Sequence, residues 1–422
     1  MISMFMQGGP SHIDLFDPKP ELNRLHMQTY GGSIKYDNAG EASSRLFGCP
    51  WRFRRYGECG MDFSEPAAAL GEIADEICMI RSMQTGVNNH GESINALNTG
   101  RQLPGRPALG AWLTWGLGSR NQRLPGFLVL TDPSGLPVLG VENWQNGWLP
   151  SIYQGTVVRP QEPRILNLDP PASLKGGPQQ RLLSYLGALN NQYLTQHPGE
   201  HDLSARMQSY ELAAAMQTSA REALDITQET AATQSMYGLD RDETRDYGTR
   251  CLIARRLVER GVRFVQVWHG EGQPWDNHDD IEVNHRRLAK QCDQAIGALL
   301  TDLKQRGLLE ETLVIWGGEF GRTPVVELPT KGANAGKING RDHNHWGFTM
   351  WMAGGGVRGG YVHGATDEFG FKAVENTVHV HDLHATILKL IGFDHEKFTY
   401  RYAGRDFRLT DVHGRVVEEL IA

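Results

Sequence analysis

The chain has 422 residues, with Lys+Arg 42 against Asp+Glu 49 and a net charge of -7. That balance excludes the basic excess a nucleic-acid binder needs to neutralise phosphates. No run of about 18 apolar residues is present to span a membrane.

Five cysteines without a Cys-x-x-Cys argue against a structural zinc knot and leave a Cys49–Cys59 disulfide open but not required. There is no signal-peptide pattern. The abrupt start in a strand reads as a removed leader or a start assigned late.

Ile2–Met6 reads as a central strand, stopped by Gln7-Gly8-Gly9-Pro10. The loop after it carries His12, Asp14 and Asp17. Ligands bind beyond the C-terminal ends of strands in open α/β sheets, so Asp14 is a candidate metal ligand; Asp17-Pro18 reads as turn-shaping. Residues 22–62 lack periodicity and read as a long surface excursion. Pro66–Ile77 has helical spacing, and Cys78–Arg81 is a short strand. Thr85–Arg101, TGVNNHGESINALNTGR, is a polar loop running into a helix from about Glu92. A helix N-terminus offers free N–H groups to an anion, and His90 sits where a nucleophile or acid/base group would be placed.

Pro107–Gly118 is expected to be a helix and Gly126–Leu130 a strand. Asp132–Gly155 is rich in Gly, Pro and aromatic residues, with Asn143, Trp144, Trp148 and Tyr153, a composition found at sugar-facing loops and in packed ones. From 179 to 237 the chain turns to Ala, Leu, Gln and Glu with helical spacing; residues 156–240 read as a helical insertion within a single domain of residues 1–422. The α/β pattern resumes with a helix ending near Gly261 and the strand Arg263–Trp268. Its loop holds Asp276 and His278, two apart, so that an extended loop aims both the same way; His285, early in the next helix, is a further candidate ligand. Thr312–Trp316 is another buried strand, and Glu319 follows its terminal glycines. Asp342, His343 and His345 precede the strand Phe348–Ala353. Val378–Ile391 reads as a helix in which His381 and His384 are packed or exposed.

Mixed carboxylate and imidazole donors at several strand ends suit a divalent ion such as zinc or manganese; calcium prefers oxygen alone. Two such clusters at one sheet edge suit phosphoryl or sulfuryl transfer. Arg101, Arg322 and Arg341 are candidates to hold the anionic oxygens.

This order of motifs resembles the alkaline phosphatase–sulfatase superfamily, and within it a bacterial sulfatase-like family common in planctomycete-type bacteria. The resemblance spans essentially the whole chain, through GGPSHIDLFDPKP, NNHGESINALNTGR, LPSIYQGT, ARRLVERGVRFVQV, GGEFGRTP, GRDHNHWGFTMWMAGGG and HVHDLHATIL. It implies an alkaline-phosphatase-like α/β fold: a central, mostly parallel sheet flanked by helices on both faces. It also implies Asp14, Asp276, His278 and Glu319 as metal ligands, with His343 or His345 matching the last histidine; the full candidate set is Asp14, Asp276, His278, Glu319, His343 and His345, with zinc, manganese or calcium as the ion. Thr99-Gly100-Arg101 matches the end of the sulfatase nucleophile motif. His90 then occupies the nucleophile position, where no cysteine stands, and Arg101 holds the anion.

The implied function is a metal-dependent hydrolase of sulfate or phosphate esters, acting on an anionic substrate such as a sulfated polysaccharide. A non-catalytic binding member and a phosphomutase-like transferase stay open as alternatives. Relatives carry a twin-arginine export leader, so a periplasmic or secreted location is implied by resemblance alone.

Overall fold

The computed structural model describes residues 1–32, 34, 43–197, 201–329, 336 and 338–422, with the side chains of 201 and 202 left out. Nine strands form the main sheet. In chain order they are β1 (Ile2–Phe5), β2 (Ile77–Gln84), β3 (Phe127–Leu130), β4 (Thr156–Val158), β5 (Phe264–Trp268), β6 (Val314–Gly317), β7 (Phe348–Ala353), β8 (Tyr361–His363) and β9 (Val378–His379). Their spatial order is β8-β2-β7-β6-β1-β5-β3-β4, and β9 also pairs with β2. Strand β7 is antiparallel to both its neighbours and every other pairing is parallel. The sheet is therefore mixed and mostly parallel.

Side chains alternate across a strand, and the core divides accordingly. Ile2, Met4, Leu128, Val265, Val267, Val314 and Trp316 face one side. There they pack on the long helices Asp242–Glu259 and Ile281–Gln305. Phe5, Phe127, Val129, Phe264, Trp268 and Ile315 face the other side, against the helices His90–Thr99, Leu109–Leu117 and Val380–Ile391. These runs are apolar on both faces because both faces are covered.

Antiparallel β7 has a direct consequence for the site. Its N-terminal end lies on the same sheet edge as the C-terminal ends of β1, β2, β5 and β6. Residues just before β7 therefore meet residues just after the other strands.

Two helices, Gly177–Gln196 and His201–Leu224, occupy the stretch with helical spacing between β4 and β5. Among the described residues, no helix is long and apolar enough to cross a membrane.

Two local expectations change, and one open question closes. The stretch Pro66–Ile77 is not one helix: it breaks into Glu65–Ala67, Ala68–Gly71 and Ala74–Glu76. A Cβ at Gly71 would come within 2.6 Å of the Tyr56 ring, so the turn there is fitted to that side chain. Of residues 22–62, positions 33 and 35–42 lie outside the described residues, and the described ones are only partly surface: Leu22, Leu46, Phe47 and Trp51 are buried, and Phe53–Tyr56 pairs with Met61–Ser64 in a hairpin. Cys49 and Cys59 are both free thiols.

Candidate metal centre

Four segments converge at the sheet edge. The loop after β2 begins the helix His90–Thr99, with Asn89 as N-cap accepting from the Glu92 N–H at 3.3 Å. The loop after β5 carries Asp276 and His278. Gly318 and Glu319 follow β6. The short pairing of Gly321–Arg322 with His343–Asn344 delivers His343 just ahead of β7.

Three imidazoles face one carboxylate. His90 Nε2 is 3.1 Å from Asp276 Oδ2, and both His278 Nε2 and His343 Nε2 are 3.0 Å from Asp276 Oδ1. The two last nitrogens are 3.0 Å from each other. The other ring nitrogen of each histidine is engaged elsewhere. His90 Nδ1 is 2.6 Å from Glu319 Oε1, His278 Nδ1 is 2.7 Å from Glu327 Oε2, and His343 Nδ1 is 2.8 Å from the Asn88 carbonyl oxygen.

These partners settle the hydrogen inventory. A carbonyl only accepts, so His343 Nδ1 carries the hydrogen. In the neutral ring, Nε2 is then a lone pair. It faces an anionic oxygen and a second imidazole nitrogen, an arrangement that calls for a cation or a proton between them. Carboxylates or carbonyls behind the metal-free ring nitrogen are the usual support of metal-ligating histidines. His90, Asp276 and His343 can hold an ion as one group, and His278, Asp342 and His343 as another. Glu319 is fully buried; its Oε1 also accepts the Gly8 N–H at 2.8 Å, while Oε2 has no hydrogen-bond partner. The donor set fits a divalent ion.

The charges of these groups are strongly coupled. Burial alone would raise the Asp276 pKa, but Arg322 and the three histidines hold it well below the usual carboxylate range. Arg322 donates to Asp276 Oδ1 at 2.6 Å, and Gln273 to Oδ2 at 3.0 Å. Burial would lower His278, but hydrogen bonds to Asp276 and Glu327 push it up to about 9. Burial is likewise outweighed at His90, which Asp276 and Glu319 raise. His343 goes the other way, to about 4, because burial and the nearby Arg322 outweigh Asp276. Burial raises Asp342, against the His343 N–H that it accepts at 2.7 Å.

The structure thus gathers His90, Asp276, His278, Glu319 and His343. Asp14 lies in the short helix His12–Leu15, where Arg341 clamps it through Nε at 2.8 Å and Nη2 at 2.9 Å, with Ser11 Oγ at 2.5 Å. Arg341 and Arg322 are both fully buried and donate to backbone carbonyls as well as to carboxylates. His345 is buried beside Trp346, outside both candidate metal groups. Arg101 lies just past the far end of the His90–Thr99 helix, about 15 Å from its start at 1.5 Å per residue. There it pairs with Asp411 at 3.3 Å.

Sequence reasoning missed Glu327, Gln273 and the Asn88 carbonyl. His285, which the sequence places early in the next helix as a further candidate ligand, instead accepts the Ser11 N–H at 2.9 Å and contacts Asn277 Oδ1 at 2.6 Å, tying the β1 loop to the Asp276 loop. Of these groups, only His285, early in a helix following the Asp276–Asp280 run, carried a sequence signal.

No curated protein matches this chain. Among solved structures, it is similar to the PsFucS1 sulfatase from Pseudoalteromonas sp. at 13% identity, covering 94% of this chain and 68% of that one, with a TM-score of 0.40. It is similar to the phosphonate monoester hydrolase SpPMH from Silicibacter pomeroyi at 10% identity, covering 77% and 68%, with a TM-score of 0.36. It is also similar to the lipoteichoic acid synthase LtaP from Listeria monocytogenes at 8% identity, covering 93% and 72%, with a TM-score of 0.38. The family model described as "Protein of unknown function (DUF1501)" matches residues 1–421, and the chain belongs to that family.

Proposed function

We propose that this chain is a metal-dependent hydrolase of sulfate or phosphate esters, acting on an anionic substrate such as a sulfated saccharide. One observation carries the reading: three imidazole Nε2 atoms surround the Asp276 carboxylate while each Nδ1 is held by Glu319, Glu327 or the Asn88 carbonyl. In this reading His90, Asp276 and His343 hold the ion, His278 and Asp342 form an overlapping group around His343, and the imidazole-rich set favours zinc or manganese over calcium. His90 is then a ligand rather than the nucleophile. Glu319 acts by orienting His90, with Oε2 available to the ion.

A bound divalent ion would supply Lewis-acid polarisation of the ester. The chain's own residues position the site and shield it. Arg322 and Gln273 fix the Asp276 carboxylate, and Glu319 and Glu327 fix two ring orientations. The N-terminus of the His90–Thr99 helix opens beside the cluster and favours an anionic ester by its dipole. Phe320 packs 4.8 Å from the His90 ring and 4.6 Å from the His343 ring, which shields that side of the cluster from water.

The test is metal analysis of the purified protein, followed by assays with 4-nitrophenyl sulfate and 4-nitrophenyl phosphate after loading with zinc or manganese. Bound metal and hydrolysis of one ester, both lost in Asp276→Ala, are expected. A protein that takes up neither ion and turns over neither ester overturns the reading. Uptake without turnover leaves the binding-protein alternative in its place.

A further inference from the structure

A second charged cluster lies at the other end of the His90–Thr99 helix. Asp411, buried and in the left-handed region at φ 52, is approached by three guanidinium groups. Arg101 is at 3.3 Å, Arg106 at 3.2 Å and Arg405 at 2.6 Å. One carboxylate cannot neutralise three guanidiniums, so the cluster keeps an excess of about two positive charges on a chain whose net charge is -7. Arg101 and Arg405 are half exposed, and Arg106 is mostly buried with Nη1 lacking a hydrogen-bond partner.

Aromatic rings are interleaved with these charges. The Arg106 guanidinium lies 5.9 Å from the Trp148 ring centre and 5.5 Å from that of Phe407; Arg405 lies 4.7 Å from Phe407. Trp148 stacks on Tyr402 with ring centres 5.7 Å apart and planes at 17°, and Tyr402 is half exposed. The hairpin Tyr400–Tyr402 with Arg405–Phe407 holds the ring and Arg405 on one projection.

We propose that this surface is a binding subsite for a sulfated saccharide chain, separate from the metal centre. Planar guanidiniums match the oxygens of a sulfate group. A flat exposed ring backed by a second ring suits the C–H face of a pyranose. Three guanidiniums beside one exposed ring engage the sulfate and ring face of one sugar unit within such a chain. The subsite shares its ligand class with the proposed hydrolase but does not rest on turnover.

The experiment titrates dextran sulfate, neutral dextran, a single-stranded oligonucleotide and polyglutamate into the full chain by calorimetry, without measuring hydrolysis. Dextran sulfate should bind and neutral dextran should not. Arg101→Ala with Arg405→Ala should weaken dextran sulfate binding about tenfold or more, and Tyr402→Ala about fivefold. His343→Ala, in the metal centre, should leave the affinity within about twofold, an effect expected for sites this far apart. Arg405→Glu at a half-exposed position repeats the test by charge reversal should the double variant fold poorly. Absence of dextran sulfate binding overturns the proposal, as does wild-type affinity in both the double variant and Arg405→Glu. Polyglutamate or the oligonucleotide binding as tightly as dextran sulfate overturns the saccharide assignment. Loss of binding in His343→Ala assigns the ligand to the metal centre instead.

Discussion

His343 Nδ1 lies 2.8 Å from the carbonyl oxygen of Asn88, 255 residues earlier in the chain. That bond fixes which nitrogen of His343 faces Asp276. It also joins the loop ahead of β7 to the helix start at His90. His343 belongs to both candidate metal groups, so His343→Ala should remove most of the bound divalent metal. Elemental analysis measures this directly. In wild-type protein, chelation should lower Tm by a few degrees, since an ion at 100 times its Kd adds about 2.7 kcal/mol. Unchanged metal content in His343→Ala would sink the assignment.

The carboxylates behind the histidines give a graded effect. Glu319→Gln and Glu327→Gln leave the facing Nε2 atoms in place but weaken their support. Each should reduce metal affinity about 10- to 100-fold, read by competition with a chromophoric chelator. Affinity unchanged in both variants would remove these residues from the site.

The Asp14–Arg341 pair supports a stability prediction. Both partners are buried, and Arg341 also lies 4.5 Å over the Phe47 ring. Burial would raise the Asp14 pKa, but Arg341 and Ser11 hold it below the usual range. Arg341→Met strands a buried charge and should cost about 3–5 kcal/mol. Asp14→Asn combined with Arg341→Met should recover part of that loss. Urea denaturation of the single and double variants tests both statements; equal loss in the two variants contradicts the pairing.

Buried neutral histidines set the acid limit. Burial lowers His285 to about 3, and it lowers His384, whose Nε2 is 2.8 Å from the Leu97 carbonyl, to about 4. Their folded values lie below the unfolded value of about 6.5, so between these values the unfolded chain binds more protons. The stability these two groups contribute is therefore full above about pH 6.5 and falls as the pH drops toward 4, by up to about 1.4 kcal/mol per pH unit for each group. Urea midpoints at pH 7.5 and 5 should differ accordingly, and His384→Gln should flatten the dependence. Identical midpoints would refute it.

Much of the architecture was legible because the sheet strands are short apolar runs ended by Gly or polar residues: Ile2–Met6, Gly126–Leu130, Arg263–Trp268 and Phe348–Ala353 fall within a residue or so of the strands observed. The position of Asp276, His278, Glu319 and His343 just outside strands β5, β6 and β7 followed from the same reading. Asp14 and Arg341 were harder to separate from site residues. They sit in the same kinds of loop and meet across 327 positions, and sequence does not reveal which charges cancel each other. For Arg101 the helix itself held the answer. Eleven positions beyond His90 is three turns, so a continuous helix carries Arg101 away from the residue it follows in the motif. The Pro66–Ile77 stretch failed because its spacing is helical but its packing is set by Tyr56 and by Asp293, which caps the N–H groups of Ala69 and Leu70.

The descent of the candidate metal cluster from loops after three different strands, and from the segment leading into antiparallel β7, governs when an ion could be captured. An unfolded chain brings only Asp276 and His278 near each other; His90 and His343 arrive once β2, β7, β6, β1 and β5 are side by side. Closing such long intervals is slow and entropically costly before contacts repay it. The ion should therefore be taken up late, by a largely assembled sheet. Refolding rates should be nearly the same with chelator as with added zinc, while the unfolding rate of the loaded protein falls.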